Sequence, residues 1–327
     1  MIVDTLTSPI ILFFVLGAFA AFIRSDLAVP EAFAKAMSIY LMASIGIKGG
    51  VEISKAGITP DLLAAGAAGL MLSFLLPAIA YAMLRKIGRL KAADAGAVAA
   101  HYGSVSVVTF VTAGEILRGQ GLSPAGYMVA ALALMETPAI VSGLILARRG
   151  MAKAGNTNTS QNGSASMLHE VFANASEVLL VGSFIIGVIA GKDGFEPVKP
   201  LFDTGFRGVL CLFLLDMGLI AARRLTQSRK LTLRLVILAI GLPILNGTIG
   251  TVIGTVIGLD VATAAILGVL AASASYIAVP AAMRLALPEA DPGIYLSMSL
   301  GITFPFNVIF GISLFAALAR MLGQMIG

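Results

Sequence analysis

Apolar residues in this chain gather in runs of bilayer-spanning length, broken by Gly, Pro and charged residues. Ten such runs fall at roughly 8–24, 31–48, 61–84, 93–116, 124–147, 171–190, 198–221, 232–258, 261–285 and 292–322. About 20 apolar residues in a helix cover the ~30 Å hydrocarbon core of a membrane. The pattern predicts an all-α integral membrane fold of ten transmembrane helices. One connector is long: Gly150 to Met167 is rich in Asn, Ser, Thr and Gly and reads as a flexible linker.

The basic residues orient these spans. The odd-numbered connectors carry 14 Lys and Arg residues, among them Arg85, Lys86, Arg148, Arg223, Lys230 and Arg284. The even-numbered connectors and the termini carry six: Lys48, Lys55, Arg118, Lys192, Lys199 and Arg320. Lys35 and Arg207 fall within spans. The bias predicts cytoplasmic odd connectors, including the 150–168 linker, with both termini outside.

Composition agrees with that reading. The chain is 58% hydrophobic and only 12% charged, where soluble domains run near half and a quarter. A formal charge of +5 would suggest nucleic acid only if the charges formed a patch, and they sit in short connectors instead. Trp is absent, which removes half of the usual interfacial aromatic belt. Cys211 is alone, which excludes an intramolecular disulfide and a cysteine-rich metal site. The first apolar run, Pro9 to Ile23, lacks a basic segment before it, since Asp4 is the only charge there; it reads as a mature helix rather than a signal peptide.

The two halves of the chain resemble each other at an offset of about 170 residues. Gly17 matches Gly187, Pro30 matches Pro200, and Gly46 matches Gly218. Gly96 to Ala100 matches Gly268 to Ala272, and Tyr127 to Pro138 matches Tyr295 to Pro305 with one residue fewer. Five is an odd number of spans, so the second copy enters the membrane from the opposite side. The predicted organisation is a first five-helix repeat at 1–149, a linker at 150–168 and an inverted repeat at 169–327. Inverted repeats mark secondary transporters, whose sites lie near the midplane at interrupted helices.

Two such interruptions are legible. Helix four carries His101-Tyr-Gly-Ser-Val-Ser106, and helix nine carries Ser273-Ala-Ser-Tyr-Ile-Ala-Val-Pro280 at the equivalent depth. Gly103 loosens the first, and Pro280 favours the first turn of a new half-helix. Ser104, Ser106, Ser273 and Ser275 offer oxygens to freed backbone groups or to an ion. The alternative role of such small residues is close helix packing. The half-helix N-termini after each break should meet near the midplane and suit an anion. Glu136, beside Thr137 and Pro138 in helix five, is a midplane carboxylate and a candidate sodium ligand or proton carrier; its repeat mate is Thr303. His101 and Tyr276 are further candidates that packing alone would also explain. Asp216 and His169 are weaker.

At these residues the chain resembles the sodium-dependent bicarbonate transporter family, first known from cyanobacteria. The resemblance spans almost the whole length. It is closest at Tyr102 to Ser106 and Thr109, at Met135 to Pro138, at Ala271 to Ser275, at Met283 to Pro288, at Pro292 to Tyr295 and at Gly301 to Pro305. It implies a ten-helix fold with core and gate regions in the bacterial plasma membrane, taking up bicarbonate with sodium, as a trimer and with no resident cofactor. It implies a substrate and ion site at Tyr102, Gly103, Ser104, Ser106, Glu136, Thr137, Ser273, Ser275 and Thr303; of these Glu136, Ser106 and Ser275 are the candidate sodium ligands by their oxygens, and Tyr276 is a candidate site-lining phenol. The family's usual Asp in the helix-five motif is Glu136 here, and an Asp after the helix-nine serines is Tyr276. Val107, Val108, Ala278 and Val279 also depart from the family's smaller or more polar residues. A cytoplasmic PII-like regulator is a further partner the resemblance implies, although the linker is short for that role.

Other readings remain open on the sequence. A sodium symporter for an organic anion, of the bile-acid-carrier kind, also uses two inverted five-helix halves. An intramembrane serine hydrolase would pair His101 with Ser104, one turn apart, and a passive channel would need no coupling ion. The chain carries no HExxH, P-loop or dinucleotide fingerprint.

Overall fold

The structure is a computed structural model that describes residues 7–153, 175–227 and 230–326. Helices cover every predicted apolar run that falls on these residues, and no strand occurs among them. They are α1 (Pro9–Phe22), α2 (Glu31–Ala56), α3 (Pro60–Lys86), α4 (Ala92–Gly103), α5 (Val107–Gly119) and α6 (Met128–Lys153). After the linker come α7 (Ala175–Phe195), α8 (Phe206–Gln227), α9 (Leu233–Val256), α10 (Val261–Ala272), α11 (Ala278–Ala286) and α12 (Pro292–Met325). Among the described residues eight helical segments are long and apolar enough to cross a membrane, with α4 and α5 counted as one. Pro9–Phe22 and Val261–Ala272 are apolar but shorter. The chain is a multi-pass membrane protein. The predicted linker begins later than expected, because α6 stays helical through Lys153; the rest of it, with His169, lies outside the described residues.

Helix starts follow from the sequence at the connectors. Thr59 accepts a hydrogen bond from the Leu62 N–H (3.2 Å) ahead of Pro60. Asp260 accepts from the N–H groups of Ala262 (2.9 Å) and Thr263 (3.1 Å), and Asp291 from that of Gly293 (2.8 Å). Each cap satisfies donors that would otherwise be orphaned in the first turn. Prolines inside α3, α6 and α9 (Pro77, Pro138, Pro243) delete backbone donors within spans. For Pro243 the carbonyl so freed is that of Ala239, and Thr303 Oγ1 of α12 donates to it at 2.6 Å. Around Pro305, α12 loosens into two π-helical stretches, Ser297–Thr303 and Asn307–Gly311.

The helices pack in two groups. In one, α2 lies along α7 and α1 along α8. In the other, α4 packs on α3 and α6, while α10 packs on α9 and α12. A main junction between the groups is α8 against the first π stretch of α12. Lipid supplies no hydrophobic drive between helices, so close backbone approach at small residues has to hold them. A Cβ on Gly17 would sit 2.0 Å from the Leu215 carbonyl oxygen, and one on Gly218 would sit 2.1 Å from that of Phe14. The α2·α7 pair does the same: a Cβ on Gly187 would meet the Ile47 oxygen at 2.2 Å, and one on Gly46 the Leu180 oxygen at 2.6 Å. Gly17→Ala and Gly187→Ala should therefore each cost roughly 1–3 kcal/mol through overpacking. Gly208→Ala, with nothing within 4 Å of its added methyl, should be neutral or mildly stabilising. Thermal unfolding midpoints in detergent check this, and equal midpoints for all three variants would contradict it.

Candidate functional site

Both interruptions are present, and they cross. Helix α4 ends at Gly103, and extended residues such as Ser104 (φ −83°, ψ 174°) and Ser106 (φ −108°, ψ 110°) lead into α5. Helix α10 ends at Ala272, and Ser273 (φ −75°, ψ 160°) opens the stretch that leads into α11. Each stretch bonds to the other. The Ser106 N–H donates to Ser273 Oγ at 2.9 Å, and the Ser275 N–H donates to the His101 carbonyl at 2.9 Å.

Side chains complete the backbone pairing that hydrocarbon would leave undone. Asn246 of α9 donates to the Tyr102 carbonyl (3.3 Å), and Asn307 of α12 to the Ala272 carbonyl (2.8 Å). The Ser273 hydroxyl donates to Leu270 O (2.8 Å), and the Ser104 N–H to Ala100 O (3.1 Å). Helix α5 is capped by Ser106 Oγ, which accepts from the Thr109 N–H (3.2 Å) and its hydroxyl (3.0 Å). Helix α11 follows Ile277, which provides no side-chain cap. Of the two N-termini expected to face a ligand, one is therefore capped by its own serine and the other has no side-chain cap.

A cavity of about 10 Å³ sits at the crossing, lined by Met42, Val105, Ser106, Val107, Glu136, Ser275, Tyr276 and Ile277. That is room for about one water-sized species. Four of the sequence candidates thus converge: Ser106, Glu136, Ser275 and Tyr276. Glu136 is only 3% exposed, and Tyr276 packs edge-on against Phe304 (5.2 Å).

The remaining candidates lie around this cavity without lining it. Tyr102 and Thr303 are fully buried and bonded to one another through their hydroxyls (2.5 Å). Gly103 does more than loosen a helix: a Cβ there would fall 2.2 Å from Cγ of Pro77, so it lets α3 reach the break. Thr137 is half-buried one residue past Glu136. Ser273 serves the partner break. His101 is fully buried, its Nδ1 is 2.7 Å from the Ala97 carbonyl, and its ring stacks on Tyr295 at 4.6 Å. Among the described residues His101 Nε2 and Ser104 Oγ each lack a hydrogen-bond partner, so they are not bonded to each other as a hydrolytic dyad would be. Asp216 is buried on α8. Sequence reading passed over Asn246 and Asn307; the available signal was the one that singled out Glu136, a polar side chain in mid-run.

A second, much larger cavity of about 780 Å³ opens among the even-numbered connectors, between the two packing groups. Residues of α2 and α5 line both cavities, Met42 and Val107 the small one, Ile45, Phe110 and Val111 the large one. Three or four residues is one helical turn, about 5.4 Å. At the other end of the helices Lys230 pairs with Asp291, whose N–H bonds Asp94 Oδ1 at 2.8 Å. The Lys230 bond holds the Asp291 carboxyl below its ordinary value.

Comparison with curated proteins gave no match. The sequence profile of one family, described as the Na+-dependent bicarbonate transporter superfamily, matches residues 9–320. With nearly the whole length matched, two interrupted helices included, this chain belongs to the Na+-dependent bicarbonate transporter superfamily.

Proposed function

We propose that the protein imports a small inorganic anion, bicarbonate, by symport with sodium. The observation that carries this reading is the convergence of Ser106, Ser275 and Glu136 on one cavity of about 10 Å³. Two hydroxyls and a carboxylate suit a hard cation that takes oxygen ligands, and the volume suits one small ion rather than a polyatomic anion. Bicarbonate then binds next to the ion, where α11 starts without a side-chain cap. A helix N-terminus favours an anion by about 0.3–1 kcal/mol, up to ~2 when partly buried. Coupling has an electrical rationale: an interior-negative potential opposes entry of a monoanion by about 2.3 kcal/mol per 100 mV. One sodium ion cancels that charge, and more add drive.

The ten-span inverted arrangement, with halves at 1–149 and 169–327, is part of this proposal. Its support is an exchange of partners. Gly17 and Gly187 are repeat mates, as are Gly46 and Gly218. Gly17 packs on the segment of α8 that bears Gly218, and Gly187 packs on the segment of α2 that bears Gly46. A pseudo-two-fold axis in the membrane plane would produce that swap. With the odd connectors cytoplasmic, both termini lie outside and the large cavity opens outward.

Reconstituted protein should accumulate labelled bicarbonate under an inward sodium gradient and lose that uptake when potassium replaces sodium; equal rates in both would remove the coupling. Excess formate or acetate competing as well as bicarbonate would favour the organic-anion symporter instead. Glu136→Gln should weaken apparent sodium affinity by about tenfold or more, while Glu136→Asp, the residue usual in the family, should retain coupled uptake. Unchanged sodium dependence in Glu136→Gln would take the carboxylate out of the site. In a Cys211→Ser background, a cysteine at Lys192 should react with an impermeant maleimide on intact cells and one at Glu289 only after permeabilisation. Labelling of both from one side would refute the inversion.

A further inference from the structure

The large cavity carries a charge pattern that the crossing site does not use. Six basic and four acidic side chains line it. Three of the acids pair one to one with lysines: Lys48 with Asp203 (2.7 Å), Lys55 with Glu52 (3.3 Å) and Lys199 with Glu196 (3.5 Å). The fourth, Glu115, takes two partners. Its Oε1 bonds Arg118 Nη1 at 2.6 Å and its Oε2 bonds Arg207 Nε at 2.5 Å. Glu115 is 6% exposed, whereas the side chains of Arg118 and Arg207, which also line the cavity, are 42% and 64% exposed. Lys192 has no acidic partner within ion-pair distance among the described residues. The surplus positive charge is thus concentrated at the shared carboxylate and at Lys192.

Two guanidiniums repel one another, and a buried carboxylate between them offsets that repulsion and fixes their spacing. Each guanidinium has five N–H groups in a planar fork. Glu115 engages Arg118 through one Nη and Arg207 through Nε, which leaves further N–H groups of both for a second acceptor. Forks of this kind match a planar oxyanion in two-point contact, which a spherical anion does not exploit. A concave wall with surplus positive charge also raises the local concentration of anions. The position is apt, since Phe110 and Val111, one turn along α5 from Val107 of the small cavity, lie between the pair and the crossing. Arg207 stands on α8 and the other two on α5, which packs on α10 of the second group, so the two packing groups build the site jointly.

We propose that Arg118 and Arg207, clamped by Glu115, form a capture site for a small planar oxyanion, a carboxylate or bicarbonate, in the large cavity and separate from the crossing site. It deepens the transport reading and rests on it for the direction of flow, but binding is measurable without transport. The test is unfolding of the purified full-length protein in detergent, followed by dye reaction at Cys211, with sodium bicarbonate, sodium formate or sodium chloride at equal sodium concentration and ionic strength. Bicarbonate and formate should raise the midpoint more than chloride. Arg118→Gln and Arg207→Gln should push the half-maximal concentration up by about tenfold or more. Lys199→Gln, a rim lysine, should behave as wild type, and Glu136→Gln should keep the stabilisation even though it impairs uptake.

If loss of an arginine beside buried Glu115 prevents folding, Arg207→Lys keeps the charge and should still lose the preference for formate over chloride. The proposal is overturned by equal stabilisation from chloride and formate in the wild type. It is also overturned by undiminished stabilisation in the arginine variants, or by equal loss in Lys199→Gln. Failure of sodium-driven uptake in the wild type, with oxyanion stabilisation intact, would sink the transport reading and leave the capture site standing.

Discussion

Backbone that leaves helical geometry inside a membrane has no water to turn to, and each unmet N–H or C=O costs several kcal/mol. This constraint organises the molecule. The break after α4 and the break after α10 solve it by pairing with one another, through Ser106 with Ser273 and Ser275 with His101. Asn246 and Asn307 close the helix ends that remain. The cross-bonded segments cannot slide apart without exposing polar groups to hydrocarbon, so Ser106 and Ser275 are fixed relative to one another. A site built this way needs no membrane-buried Lys or Arg. On insertion scales such a residue at the bilayer centre costs about 2.5–3.5 kcal/mol.

The packing groups give that fixed point something to move against. The α1·α8 and α2·α7 pairs are locked by glycines whose neighbours leave no space for a methyl group, so each pair behaves as a rigid unit. The crossing lies within the other group, and one of its walls, Met42, is contributed by α2. A shift of one group past the other would change the access to the small cavity without disturbing the bonds between the breaks. The 780 Å³ cavity between the groups ends one helical turn short of the crossing, the geometry of an access path closed by a few apolar side chains.

Much of this was written in the apolar pattern. Helix positions, both breaks and the candidacy of Glu136 were legible because lipid imposes length and polarity rules that act residue by residue. The convergence of Ser106, Ser275 and Glu136 was named through family resemblance, since spacing along a chain does not say which face of a helix meets which. Gly103 was read as a loosening residue because its partner, Pro77, is 26 positions away. Tyr102 and Thr303, site residues by family resemblance, engage each other and the carbonyl that Pro243 frees, contacts that no spacing along the chain announces. The roles of Asn246 and Asn307 depend on helix ends brought to them by the fold. The large cavity was invisible for the same reason: Glu115 and Arg118 are neighbours on α5, but Arg207 of α8 reaches them only in the folded chain.

The occupant of the crossing is decisive for sodium coupling. A high-resolution cryo-electron microscopy map recorded in sodium should show one compact density within ligand distance of Ser106, Ser275 and Glu136, absent when choline replaces sodium. Identical maps in the two salts, or a sodium-dependent density elsewhere in the protein, would contradict it.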